Sequence, residues 1–172
     1  MIENRVYLTT ISRDLASLVE PSPEQSFQNA WQVISQRQEL PAELRERYAL
    51  DQLVYIEGFS YTPTDPEPTP AAWLAIGNEL IDPTRAATGS LRTEYYPALR
   101  LTAKQVDALT KKAKKEGHEL TVPLLRDDFY IEHGPRAKSS LKAVGKVRAE
   151  AQQSAHWWTM HIKYPPVDPD RV

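Results

Sequence analysis

A chain of 172 residues with 41% hydrophobic and 26% charged side chains can bury the core of one globular domain and is too apolar to be a disordered segment. It contains no cysteine, which excludes disulfides, thiolate metal sites and a cysteine nucleophile. A formal net charge of -2 gives no bulk electrostatic reason to expect nucleic acid, and no apolar run approaches the roughly 18 residues that span a bilayer.

The first residues, MIENRVYLTTISRDLASL, hold Glu3 and no apolar core of a secretory signal, so a cytoplasmic protein is expected. Residues 5–11 read as a short strand or an extended entry. Leu15, Leu18 and Val19 then recur at helical spacing, with Ser12 as the N-cap. Past Pro21, Ser22 is placed to cap a second helix, with Pro23 at its first position and Gln25 at its third. On that helix Phe27, Ala30, Trp31, Ile34 and Gln38 share one face. Pro41 stops it or starts the next turn, and residues 42–51 form a short helix or a loop.

The stretch 53–84 organises the rest. LVYIEGFSY (53–61) is rich in the β-branched and aromatic side chains that suit a pleated, half-buried surface, and AAWLAIG (71–77) reads as its partner strand. Asn78-Glu79 turns the chain into a short strand at Leu80-Ile81, which Asp82-Pro83-Thr84 ends because Pro83 has no N–H to donate. A polar loop over 85–94 leads to YYPALRL (95–101), an edge strand on account of Pro97. Thr102 caps an amphipathic helix closed by Gly117. LTVPLL (120–125) is extended, DDFYIEHGP (127–135) is a connection, and from Pro135 a helix carries Leu141, Val144, Val147 and Ala151 in a stripe. The class is α+β: an N-terminal helix on a small antiparallel sheet, with further helices behind, in one domain over 1–164 followed by a Pro-rich tail, 165–172.

Four strings in this order carry a resemblance: Ser26-Phe27-Gln28-Asn29-Ala30, Tyr55-Ile56-Glu57-Gly58, Ala71-Ala72-Trp73 and Asp82-Pro83-Thr84, with an aromatic pair at Tyr95-Tyr96. The arrangement resembles small bacterial and phage members of the transglutaminase-like, papain-like cysteine-protease superfamily. These carry a Cys at a helix start before Phe or Tyr and Asn-Ala, then a Tyr-Val-Glu-Gly strand, a His-Ala-Trp strand and Asp-Pro-Thr. The resemblance spans about Pro23 to Leu101 and says nothing of the last helices. It implies a papain-like core, a catalytic Cys, His and Asp at Ser26, Ala71 and Asp82, and a peptide-binding cleft bearing Glu57, Trp73 and Asn29.

The departures bear on chemistry. A thiolate at a helix N-terminus is favoured by the dipole and completed by an imidazole, whereas a hydroxyl needs a base and Ala71 supplies none. Asp82, with no imidazole to orient, is expected to hold nothing. The resemblance therefore implies a catalytically silent domain, either a natural pseudoenzyme or a cysteine peptidase or acyltransferase inactivated by substitution, with no cofactor and a protein or peptide partner.

The same residues have plainer readings. Ser26 can be a surface residue of a first turn, Ala71 a small strand residue, Asp82 an Asx-type turn, Glu57 a solvent-facing strand residue, and Trp73 and Trp31 core. His118, His133, His156 and His161 fit surface, turn, helix-end and packing roles, and their spacing matches no metal motif. One of them as the base for Ser26 is a third reading, that of a serine hydrolase. The alternative outside enzymology is an interaction protein that uses its basic segments, Lys111 to Lys115 and then Arg136, Lys138, Lys142, Lys146 and Arg148, with Trp157-Trp158 as a contact patch.

Overall fold

Strand β1 (Val54–Tyr61) is the centre of the molecule, with β2 (Thr69–Ile76) on one side and β4 (Glu94–Thr102) on the other. With β3 (Glu79–Ile81) outside β2, the described strands form an antiparallel sheet of order β3-β2-β1-β4. This is a computed structural model, and it describes residues 10–22, 24–62, 65–88 and 93–163, with side chains left out at 10, 18–19, 87–88 and 157–163. The tail 165–172 and the side chains of Trp157, Trp158 and His161 lie outside the described residues.

Alternation along the strands makes two apolar faces. Tyr55, Ala72, Leu74, Leu99 and Leu101 enter a large cluster with Ala30, Val33 and Ile34 of helix α2 (Ser26–Gln36) and with Val106, Leu109 and Ala113 of α5 (Ala103–Lys115). Ile11 and Leu15 of α1 (Thr10–Val19) complete it. The opposite face carries Ile56, Ala71, Trp73, Ala75, Leu80 and Tyr95, all buried. Farther along β1 and β4, Phe59, Tyr61 and Tyr96 pack on Ala151 and Ala155 of the long helix α7 (Ala137–Lys163).

One irregularity keeps this pattern in phase. Glu57 pairs with Leu99 but Gly58 with Pro97, so Ala98 is an extra residue in β4. The bulge puts Tyr96 on the same face as Leu99, and Pro97 lies on an edge strand, as expected from the sequence. Gly58 is required there, because a Cβ would lie 2.1 Å from the Tyr96 carbonyl oxygen.

Several boundaries differ from the sequence expectations. Helix α1 starts at Thr10, so Ser12 is a buried residue inside it, and the short strand or extended entry read over 5–11 is helical at 10 and 11, residues 5–9 lying outside the described residues. Helix α2 starts at Ser26 with Gln25 at its N-cap and no side-chain cap; Ser22 instead bonds through its backbone to Asn29. Gln38 is exposed, and Arg37 takes the buried position beside it, bonding the Ile34 carbonyl oxygen and the Asp107 carboxylate of α5. The expected loop after Asp82 begins with helix α4 (Pro83–Thr88), since Pro at the first helical position gives up only an N–H that has no partner there. Residues 42–51 hold the short helix α3 (Ala42–Arg47). The connection after residue 126 is helix α6 (Asp128–His133), capped by Asp127, whose carboxylate accepts the Tyr130 N–H at 2.8 Å. The Thr102 and Gln105 capping box of α5 forms as expected, and Gly117 follows with a positive φ of 72°. Among the described residues no helix is long and apolar enough to cross a membrane.

Candidate functional site

Ser26 is the first residue of α2, and this helix end meets β2 where the strand runs past the end of β3. There the Ala72 N–H donates to Ser26 Oγ at 3.3 Å. Since that nitrogen is bonded to the Ala71 carbonyl carbon, Ser26 Oγ lies within about 6 Å of the Ala71 Cα, adding standard peptide geometry. That separation is to the backbone; the side chain at 71 leaves the other face of the sheet, and the methyl group present has no proton to take or give. Ala71 is only 7% exposed and faces the side of the sheet opposite to α2, whereas Ala72 enters the α2 cluster.

Asp82 follows β3 and is buried. Its Oδ2 accepts the Tyr95 hydroxyl at 2.7 Å and its Oδ1 the Arg85 N–H at 3.0 Å. Asp82 therefore does hold something, contrary to the sequence expectation: its carboxylate is bonded by the Tyr95 hydroxyl and the Arg85 N–H. The Tyr95 ring packs on Trp73 with centroids 4.9 Å apart, which ties Asp82 to the cluster containing Ala71. Burial raises the Asp82 pKa above the ordinary value, against the opposing pull of the Arg85 N–H and the Tyr95 hydroxyl. Trp73 is fully buried, and its Nε1 has no hydrogen-bond partner among the described residues.

Asn29, one turn after Ser26, joins the two ends of the motif. Its Nδ2 donates to the Ser22 carbonyl oxygen at 2.7 Å and to Thr84 Oγ1 at 2.9 Å, while its Oδ1 accepts the Ser22 N–H. Buried as it is, Asn29 is a strut between the start of α2 and the Asp-Pro-Thr string, with its amide occupied by the protein itself.

Glu57 has a different surrounding. It is 1% exposed, so the solvent-facing alternative is ruled out. Its Oε1 accepts the Leu124 N–H at 2.6 Å and the Tyr55 hydroxyl at 2.9 Å, and its Oε2 accepts the Leu125 N–H at 3.1 Å. Burial lifts its pKa, while the Leu124 and Leu125 N–H groups and the Tyr55 hydroxyl act in the other direction. The carboxylate thus pins the 3-10 turn Leu124–Arg126 over the sheet. Between that turn, the start of α2 and α7 lies a cleft of about 470 Å³, with Glu57, Gly58 and Phe59 in its floor. Phe27 and Gln28 wall one side, Leu125 and Arg126 another, Leu141 and Val144 a third. Pro70, next to Ala71, also lines it, so the cleft adjoins the pair Ser26 and Ala71 on both strings.

Of the residues singled out in the sequence, the fold gathers Ser26, Ala71, Asp82, Asn29 and Trp73 around the junction of α2, β2 and β3, and Glu57 in the adjoining cleft. The histidines are placed elsewhere: His118 stacks on Phe129 with centroids 5.0 Å apart, and His133, at the end of α6, meets the same ring edge-on at 4.7 Å. His156 is exposed inside α7, not at a helix end. No group of three or more His, Asp or Glu among the described residues could hold a metal ion. Sequence reading missed the third wall of the cleft, which α7 supplies; the signal was Leu141 at the head of its apolar stripe. Compared with protein-family models, curated proteins and solved structures, the chain gives no match.

Proposed function

We propose that this chain is a papain- or transglutaminase-like domain whose acyl-transfer centre is chemically silent and whose cleft is kept for binding a protein or peptide segment. The observation that carries the reading is the contact of Ser26 Oγ with the Ala72 N–H, next in the chain to Ala71, with Asp82 bonded to Tyr95 of the cluster that holds Ala71. A nucleophile and its base would have to stand at those places, at the start of a helix and on the strand it abuts. The silence follows from the side chains. A hydroxyl must lose its proton to a base in the same step in which it attacks, and the neighbouring methyl group accepts none. Tyr95 satisfies the carboxylate that would orient an imidazole, so the site is stable without one. Glu57, Trp73 and Asn29, expected as binding residues, act in this reading as supports: Asn29 and Glu57 are saturated by protein donors and acceptors and hold the walls of the cleft.

The test is p-nitrophenyl acetate hydrolysis by the native chain and by Ser26→Ala. Equal rates are expected. A burst or turnover that disappears in Ser26→Ala would reveal a working nucleophile and overturn the silent reading in favour of a serine hydrolase.

A further inference from the structure

The cleft wall that α7 supplies lies outside the stretch that carries the resemblance, and it has a charge of its own. Leu141, at 38% exposure, stands out as an exposed large hydrophobic residue among those described, and it faces the cleft together with Val144. Lys138 is three residues before Leu141 and Arg148 four after Val144, so both fall on the same side of the helix as this apolar pair. Arg126 faces them from the 3-10 turn. All three cations are exposed, and none has an ion pair among the described residues. In a chain of net charge -2, Arg126 in the lining and Lys138 and Arg148 on the flanking helix outnumber the two acids that line the cleft, Glu24 and the buried Glu57.

We infer that the cleft takes an extended acidic peptide segment with an apolar residue at its centre. The apolar side chain fills the space between Phe27, Phe59, Leu125 and Leu141, and carboxylates on either side of it meet Lys138, Arg148 and Arg126. The length fits. The ten steps of α7 from Lys138 to Arg148 rise about 15 Å, which is the span of roughly five residues of extended chain. Desolvation of the apolar centre supplies the attraction, and the cations set the sign of what is accepted. This inference rests on the proposed reading in one respect only, that the cleft is kept for binding.

The experiment is selection from a random octapeptide phage library on the immobilised native chain, followed by fluorescence anisotropy with a selected, fluorescein-labelled peptide. Peptides with Leu, Ile or Phe flanked by Asp or Glu are expected. Leu141→Asp and the pair Lys138→Glu, Arg148→Glu should each weaken the labelled peptide at least about tenfold, and added salt should weaken it in the native chain. The control pair Lys111→Glu, Lys114→Glu, which makes the same charge change on α5, should leave affinity unchanged. A selection without consensus, a basic or uncharged consensus, or equal losses from the α5 pair would overturn the inference. So would binding of the native chain to phosphatidylserine vesicles or single-stranded RNA that these α7 variants abolish while no peptide is selected. Ser26-dependent esterase activity would overturn the silence of the centre and leave the selection result standing, so the two failures are separable.

Discussion

Replacing Glu57 by Gln keeps the shape of the side chain and removes one acceptor. Its amide oxygen can still take the Leu124 N–H and the Tyr55 hydroxyl, now at 2.6 and 2.9 Å from Oε1, but the amide NH2 would face the Leu125 N–H, donor against donor. A buried N–H left without a partner costs about 1–3 kcal/mol, and removal of the buried charge offsets part of that. A net loss of about 2 kcal/mol lowers Tm by about 4–8 °C for a domain of this size. The variant should also differ in its pH dependence. The folded-state pKa of Glu57 is raised, so between its unfolded value and the folded one the native chain binds more protons than the unfolded chain. Its contribution is therefore fully present below the unfolded pKa of 4.5 and is lost as pH rises through the folded pKa. Urea denaturation from pH 4 to 8 measures both effects, and Glu57→Gln should lose stability and flatten that decline. Hydrogen exchange should quicken at Leu124 and Leu125. A variant as stable as the native chain with an unchanged pH slope would refute the account of how the cleft wall is held.

Asp82 has the same sign of linkage, raised by burial, so Asp82→Asn should remove a further part of the stability that the native chain loses as pH rises above about 4. Asp127 runs the other way. Burial pushes its pKa up, but the Thr121 and Tyr130 donors outweigh it, so its contribution is present above the unfolded pKa and disappears as pH falls; Asp127→Ala should be most damaging near neutrality in the same urea series. A double-mutant cycle of Tyr95→Phe with Asp82→Ala should give a coupling of about 0.5–3 kcal/mol, and independent effects would contradict the hydrogen bond between them. Gly58→Ala forces a Cβ against the Tyr96 carbonyl oxygen and should cost about 1–3 kcal/mol or more by the same denaturation measurement, since the obstacle is backbone and cannot swing aside.

The sheet was legible from the sequence because 53–61 is rich in β-branched and aromatic residues and Pro97 marks an edge, but the bulge at Ala98 that keeps Tyr96 and Leu99 on one face leaves no local signal. Helix α4 was missed because Pro83 reads equally as a strand stop and a first helical residue, and its helical use depends on α4 packing on α1 and α2. The capping pattern puts the start of α2 three residues early, because it cannot reveal that Ser22 is tied by Asn29 from within the helix. Within the site, Ser26, Ala71 and Asp82 were singled out only by the resemblance of the four strings to the cysteine-protease superfamily. Tyr95 as the donor to Asp82 was not foreseen, because residues 82 and 95 come together only after β4 has crossed to the far side of β1 from β2. Glu57 was recognised as a residue of interest but not as a buried anchor, since its donors come from residues 124 and 125, far along the chain.

We propose that Ser26 and Ala71 stand where a nucleophile and its base would stand. That placement is tested most directly by iodoacetamide alkylation near pH 6 of the double variant Ser26→Cys, Ala71→His, against Ser26→Cys alone, with folding verified by circular dichroism. An isolated thiol of pKa about 8.5 is less than about 1% thiolate at that pH, and an imidazole partner that brings it near 6 makes about half of it thiolate. The lower nucleophilicity of the more acidic thiol takes back about tenfold, leaving a net acceleration of about tenfold. The account predicts that acceleration, and its decline when Asp82→Asn is added. A folded double variant that reacts no faster than Ser26→Cys alone would contradict it.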